Sequence, residues 1–146
     1  MREEITWEKR DYRLIASMTS FGERLRNDAP VVIRHILERQ TMQPDLLVLT
    51  VYKADVSYIP QAIRNYEQQR KVRIIVASEN LRPHLKYYYA MLEYPGTPII
   101  TVDDDQRYAP ELFDALYRRW QQYPQCVIAN RCHLIRYRDG RPLPYG

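Results

Sequence analysis

The sequence predicts an α/β fold, a mostly parallel sheet with helices on both faces, on three observations. Four strand-length apolar runs alternate with four stretches of helical spacing, a βαβαβαβα order. The runs are apolar at consecutive positions rather than at every second one, which marks strands covered on both faces, as parallel strands are. A proline stands at the start of each helical stretch, where its missing N–H is not needed and its fixed φ suits the first turn.

In chain order, the first strand is predicted at 14–18, where Leu14, Ile15 and Met18 flank two small residues. The second is the β-branched or apolar run 46–52, with Thr50 as its one polar residue, the third 72–77 with Arg73 as its single charge, and the fourth 98–102. Helices are expected over 29–40, 59–69, 83–94 and 110–122, opened by Pro30, Pro60, Pro83 and Pro110. In the first of these Val32 and Ile36 form an apolar stripe with Val31, Ile33 and Leu37. In the last, Leu112, Phe113, Leu116 and Trp120 do the same, and core packing is the expected role of both stripes. Beyond the last helix, 126–129 and 134–137 read as two short strands, and Asp139-Gly140 is a turn signal.

A length of 146 residues suits a single α/β domain, large enough to bury roughly two-thirds of the surface of its unfolded chain, with residues 1–12 as an N-terminal extension. At 45% hydrophobic and 27% charged residues, with only 4 Gly, the composition excludes disordered, collagen-like and low-complexity classes. No apolar run approaches the ~20 residues of a membrane-spanning helix. The first ten residues are too charged for a secretory signal, so a cytoplasmic protein without a transmembrane segment is expected. Lys and Arg exceed Asp and Glu by 22 to 18, and the basic residues are scattered rather than set in a stripe, so no nucleic-acid partner is expected. Cys126 and Cys132 lack a C-x-x-C spacing and read as reduced packing residues rather than as a zinc set with His133.

In a parallel sheet ligands sit beyond the carboxyl ends of the strands, which makes four loops candidates: 19–24, 53–55, 78–82 and 103–107. The fourth carries Asp103, Asp104 and Asp105 in succession after an apolar strand. Three adjacent carboxylates repel one another, so they need a compensating cation or full exposure. Two readings follow from the residues alone. One is a divalent ion, Mn²⁺ or Mg²⁺, held by one or two carboxylates and completed by water and phosphate oxygens. The other is a solvated turn whose first Asp caps the following helix.

The run Ile-Thr-Val-Asp-Asp-Asp-Gln-Arg-Tyr, an apolar strand ending in Asp-x-Asp and followed by an aromatic residue, resembles the signature of nucleotide-sugar glycosyltransferases of the GT-A fold. With it, in order, stand Ala-Ser-Met-Thr-Ser-Phe-Gly-Glu-Arg at 16–24, Gln-Thr-Met-Gln-Pro-Asp at 40–45 and Asn-Leu-Arg-Pro-His-Leu-Lys-Tyr-Tyr at 80–88. Together they resemble a family-2-like bacterial group, from about residue 13 onward. The resemblance implies a GT-A-like, Rossmann-like sheet and a metal at Asp103 and Asp105. It also implies nucleotide contacts at Thr19, Ser20 and Arg24, diphosphate contacts at Asn80, Arg82 and Lys86, and Asp104 turned toward a ribose hydroxyl or a helix cap. Arg107 would add charge near the phosphates, and one ring of Tyr87, Tyr88 or Tyr89 would be free to stack on the base or sugar.

The implied reaction is transfer of a sugar from a nucleoside-diphosphate sugar to an acceptor of unknown kind. An inverting transferase also needs a general base on the acceptor side. Glu111, Asp114 and Asp139 read as structural, and in the resembling group the acceptor half lies C-terminal to the matched region, so the base is expected outside it. The alternative is a nucleotide or nucleotide-sugar binding module without catalysis. A metal-dependent phosphatase or nuclease would want further ligands, which His35, His84 and His133 do not supply by spacing. A phospho-acceptor receiver domain would want acids where Thr19 and Ser20 stand.

Overall fold

Ile15–Thr19 (β1), Leu46–Tyr52 (β2), Val72–Ala77 (β3) and Ile99–Thr101 (β4) form one sheet in the order β3-β2-β1-β4, with every pairing parallel. The computed structural model describes residue 7 and residues 11–132 and 134–144. Its contacts divide the chain into two compact units, one ending at Asp114 and the other beginning at Ala115.

The first unit holds the sheet. Ile15 lies opposite both Leu46 and Ile99, and Leu47 opposite Val72, so four strands pack side by side through apolar pairs. The central strands are buried almost throughout, as their largely apolar runs require. Their residues alternate between faces. One face sets Ile15, Leu46 and Val48 against Ala90 and Tyr94, with Trp7, Tyr12, Ile75 and Ile99 packed around them. Trp7 and Tyr12, in the expected N-terminal extension, therefore belong to the core margin, and the Arg73 guanidinium lies 5.6 Å from the Trp7 ring centre. Ala16, Met18, Leu47, Leu49 and Val51 point to the other face and are fully buried.

Five α-helices occur among the described residues: Gly22–Asn27 (α1), Ala29–Arg39 (α2), Gln61–Gln68 (α3), Tyr88–Glu93 (α4) and Leu112–Gln122 (α5). In α2 the buried stripe is Val32, Ile33, Ile36 and Leu37, while Val31 is exposed; in α5 only Phe113 is fully buried. Pro30 lies in the first turn of α2, Pro60 serves as the N-cap of α3, and Pro110 stands two residues ahead of α5. The helix expected over 83–94 is broken. Arg82–Lys86 is a 3₁₀ segment and α4 begins only at Tyr88, because Tyr87 sits at φ −132° and ψ −28°. A second 3₁₀ segment, Lys53–Tyr58, follows β2 where a loop was expected.

The second unit corrects two expectations. No strand forms at 126–129 or 134–136; instead Tyr137–Arg138 (β5) and Arg141–Pro142 (β6) make a minimal antiparallel hairpin. Asp139 and Gly140, at φ 51° and 73°, form its two-residue turn, as the Asp-Gly signal anticipates. Cys126 and Cys132 are free and exposed, not packed, because these apolar stretches find no ladder or helix to bury them: Val127 is 98% and Leu134 93% exposed. His133 lies outside the described residues. Among the described residues no helix is long and apolar enough to cross a membrane.

Candidate functional site

The strand order sets the position of the site. The chain moves outward from β1 to β2 to β3 and then returns to the far side of β1 for β4, so the loops leaving β1 and β4 diverge and leave a crevice. A cleft of about 670 Å³ lies there, lined from all four strand ends. The loop after β1 contributes Thr19, Ser20, Phe21 and Arg24; that after β2, Tyr52 and Asp55. The loop after β3 contributes Asn80, Arg82, Leu85 and Lys86, and the loop after β4 the three aspartates.

The aspartates are not equivalent. Asp104 is 5% exposed, accepts a hydrogen bond from the buried Ser20 hydroxyl at 2.6 Å, and pairs through its other oxygen with Arg24. Arg24 also reaches Asp105 at 2.7 Å. Asp103 pairs with Lys86 across the cleft. Asp104 is therefore the anchor of the loop, turned toward Ser20 and Arg24, while Asp103 and Asp105 keep about half their side-chain surface open. Two protein cations meet three carboxylates, so the repulsion within the triplet is compensated in part from inside the chain.

Behind the cleft the acidic loop is fastened to α2. The Asp103 amide donates to the Tyr108 hydroxyl at 2.7 Å, and the His35 Nε2 donates to the Tyr108 carbonyl at 2.9 Å. Gln40, almost fully buried, donates to the Ala109 carbonyl at 3.0 Å and accepts from the Phe113 amide at 3.2 Å. The Thr41 amide adds a bond to the Pro110 carbonyl at 2.9 Å. Burial pushes the Tyr108 phenol above its ordinary pKa, and the three neighbouring carboxylates push the same way against the stabilising Asp103 amide. His35, Gln40 and Tyr108 thus have polar work that the sequence did not disclose. The only hint was Gln40, a polar residue directly after an apolar helical stripe.

Other expected contacts are redistributed. The Thr19 hydroxyl donates to the Thr50 carbonyl at 2.8 Å, and the Asn80 side chain accepts from the Arg82 amide at 3.0 Å, so both are partly committed to holding their loops. Arg82 stands at φ 54°, a left-handed conformation uncommon for a non-glycine residue. Gly22, at φ 52°, opens α1 and donates its amide to Asp55 at 3.0 Å, which ties the first two loops together. Arg107 does not line the cleft, nor do Tyr87, Tyr88 or Tyr89. The aromatic surfaces at the cleft are Tyr52 and Phe21, the latter 60% exposed with the Arg24 guanidinium 5.7 Å from its ring centre.

The donor set bears on a metal directly. Among the described residues no group of three or more His, Cys, Asp and Glu side chains is placed to hold an ion. Two cleft-facing carboxylates with hard oxygen donors remain, Asp103 and Asp105. That set suits Mg²⁺ or Mn²⁺ completed by water and phosphate oxygens and does not suit an all-protein cage. Compared with models of known protein families and with curated proteins, the chain matches none.

Proposed function

We propose that this chain is a donor-binding domain of the glycosyltransferase type, GT-A-like in fold, which holds a nucleoside-diphosphate sugar and transfers the sugar once an acceptor side is supplied. The observation that carries the reading is the convergence, at one switch point, of two half-open carboxylates with Arg24, Arg82 and Lys86. A diphosphate bridged to a divalent cation needs both signs of charge within one cleft.

In this reading Asp103 and Asp105 face the cation, and Asp104, locked by Ser20, fixes the loop that carries them. When bound, the ion supplies Lewis-acid neutralisation of the charge that grows on the departing nucleoside diphosphate. Lys86 and Arg82 supply further positive charge from the opposite wall, and Phe21 offers an apolar face to the base or sugar. A second reading, a binding module without turnover, is favoured by one observation. Apart from the acid triplet, the lining carboxylate is Asp55, and it accepts the Gly22 amide, which leaves no evident base for an acceptor hydroxyl.

Thermal-shift and titration measurements with UDP, GDP and CMP, with and without Mn²⁺, test the proposal. The expected result is stabilisation by a nucleoside diphosphate only when metal is present, abolished in Asp105→Ala. Stabilisation that is unchanged in EDTA and in that variant refutes it.

A further inference from the structure

Arg24 and Lys86 already hold partners inside the cleft. They approach from opposite walls, Arg24 from α1 behind β1 and Lys86 from the 3₁₀ segment behind β3, and both end on the acidic loop behind β4. The cations that a phosphate group requires are therefore occupied by the carboxylates that a metal ion requires. The Lys86–Asp103 pair and the Arg24–Asp105 contact are partly open to solvent: Asp103 is 53% and Asp105 48% exposed in the side chain. Such pairs stabilise a fold little and exchange partners readily. Asp104 differs, because Ser20 and burial hold it in place whatever Arg24 does.

We infer that Lys86 and Arg24 form an exchange clasp on the acidic loop, which makes binding of a divalent cation and of a diphosphate mutually dependent in this cleft. The inference rests on the reading of Asp103 and Asp105 as metal-facing and adds a mode of regulation to it. A divalent cation arriving alone must displace Lys86 and Arg24 and leave three cationic groups crowded together. A diphosphate arriving alone must draw the same two side chains away and leave the carboxylates repelling each other. Arriving together, each ligand takes the partners that the other releases. The coupling is reciprocal by thermodynamic necessity. Its consequence is that metal-free nucleotide and nucleotide-free metal are both held weakly, and only the pair is held well.

The full chain tests this with three probes: Mn²⁺ alone, followed by electron paramagnetic resonance of the free ion; inorganic pyrophosphate alone in EDTA, followed by calorimetry; and the two together. The variants are Lys86→Met and Asp103→Asn, each removing one half of the same pair. Lys86→Met is expected to bind Mn²⁺ alone about two- to fivefold more tightly than wild type, because the competitor is gone. Asp103→Asn is expected to bind pyrophosphate in EDTA more tightly by a similar factor, because Lys86 is freed, although it removes a metal-facing carboxylate. In both variants the gain in affinity for one ligand caused by the other shrinks. Cooperative binding of Mn²⁺ and pyrophosphate to wild type, with both variants matching wild type toward the single ligands, overturns the clasp and leaves the metal reading standing. Wild type that retains no Mn²⁺ at any pyrophosphate concentration overturns the metal reading, and the clasp with it.

Discussion

Arginine–aspartate pairs stand at both ends of β1 and do different things. At the amino end, Asp45 accepts the backbone amides of Arg13 at 2.6 Å and Leu14 at 3.2 Å, while Arg13 lies 3.6 Å from the same carboxylate and donates to the Gln43 carbonyl. The Asp45 amide in turn donates to the Leu14 carbonyl, which sets β1 and β2 in register with Ile15 opposite Leu46. One carboxylate there is held by two backbone amides and one guanidinium. At the carboxyl end three carboxylates meet two cations, and the groups face a cleft. Both ends border a concavity, that at the amino end lined by Arg13 and Asp45 themselves, so what separates them is the partner set: the same chemistry is structural where backbone amides hold the carboxylate, and available to a ligand where carboxylates outnumber their cations.

The contrast can be broken or sharpened in three ways. The largest effect is expected at the amino end. Asp45→Ala strips the partner from two backbone amides, one belonging to the fully buried Leu14, and should cost about 2–3 kcal/mol of stability in urea unfolding. Its affinity for UDP with Mn²⁺ should match wild type. A drop in that affinity at unchanged stability would erase the distinction between the two ends.

Arg82→Gly should give the mirror image at the cleft. Arg82 holds a left-handed backbone that glycine adopts without steric cost, so stability should stay equal or rise by up to about 1 kcal/mol. Titration should show nucleoside-diphosphate affinity falling several-fold as the guanidinium is lost. A variant less stable than wild type with undiminished affinity would assign Arg82 to structure.

The smallest effect concerns pH. The Tyr108 phenol has a raised pKa in the folded state, chiefly through burial. Its protonated form is therefore favoured by folding, and that contribution is whole below pH 10 and lost as pH climbs through the raised value. Tyr108→Phe should flatten this alkaline loss in thermal unfolding followed above pH 10, on top of a pH-independent cost of about 0.5–1.5 kcal/mol for the lost Asp103 amide bond. An identical alkaline slope in the variant would remove Tyr108 from the account.

Much of the sheet was legible because its strands are continuous apolar runs. The ranges 46–52 and 72–77 match β2 and β3 residue for residue, and β1 and β4 differ from expectation by one residue at each shifted end. The four strand-end loops were likewise legible, since they follow from the order of elements. The break at Tyr87 was not. Residues 83–94 have helical spacing throughout, and Lys86, Ala90 and Tyr94 would share one face of an unbroken helix, so nothing in the local pattern marks Tyr87 as the residue that leaves the helical conformation. The strands expected in 126–137 failed for the complementary reason. Apolar character there was real, but a strand also needs a neighbour with which to exchange hydrogen bonds, and burial at 134–136 never follows.

Chain order and apolar patterning by themselves determined a parallel α/β layer with an acidic loop at one strand end, because period and continuity of apolar residues are local properties. Only the tertiary structure decided that Asp104 anchors while Asp103 and Asp105 stay open. It alone brought Ser20, Arg24 and Lys86 onto that loop and set Gln40 and Tyr108 behind it. The partners in these contacts lie up to 84 residues apart, and which of three identical carboxylates is buried depends on neighbours that no local pattern specifies.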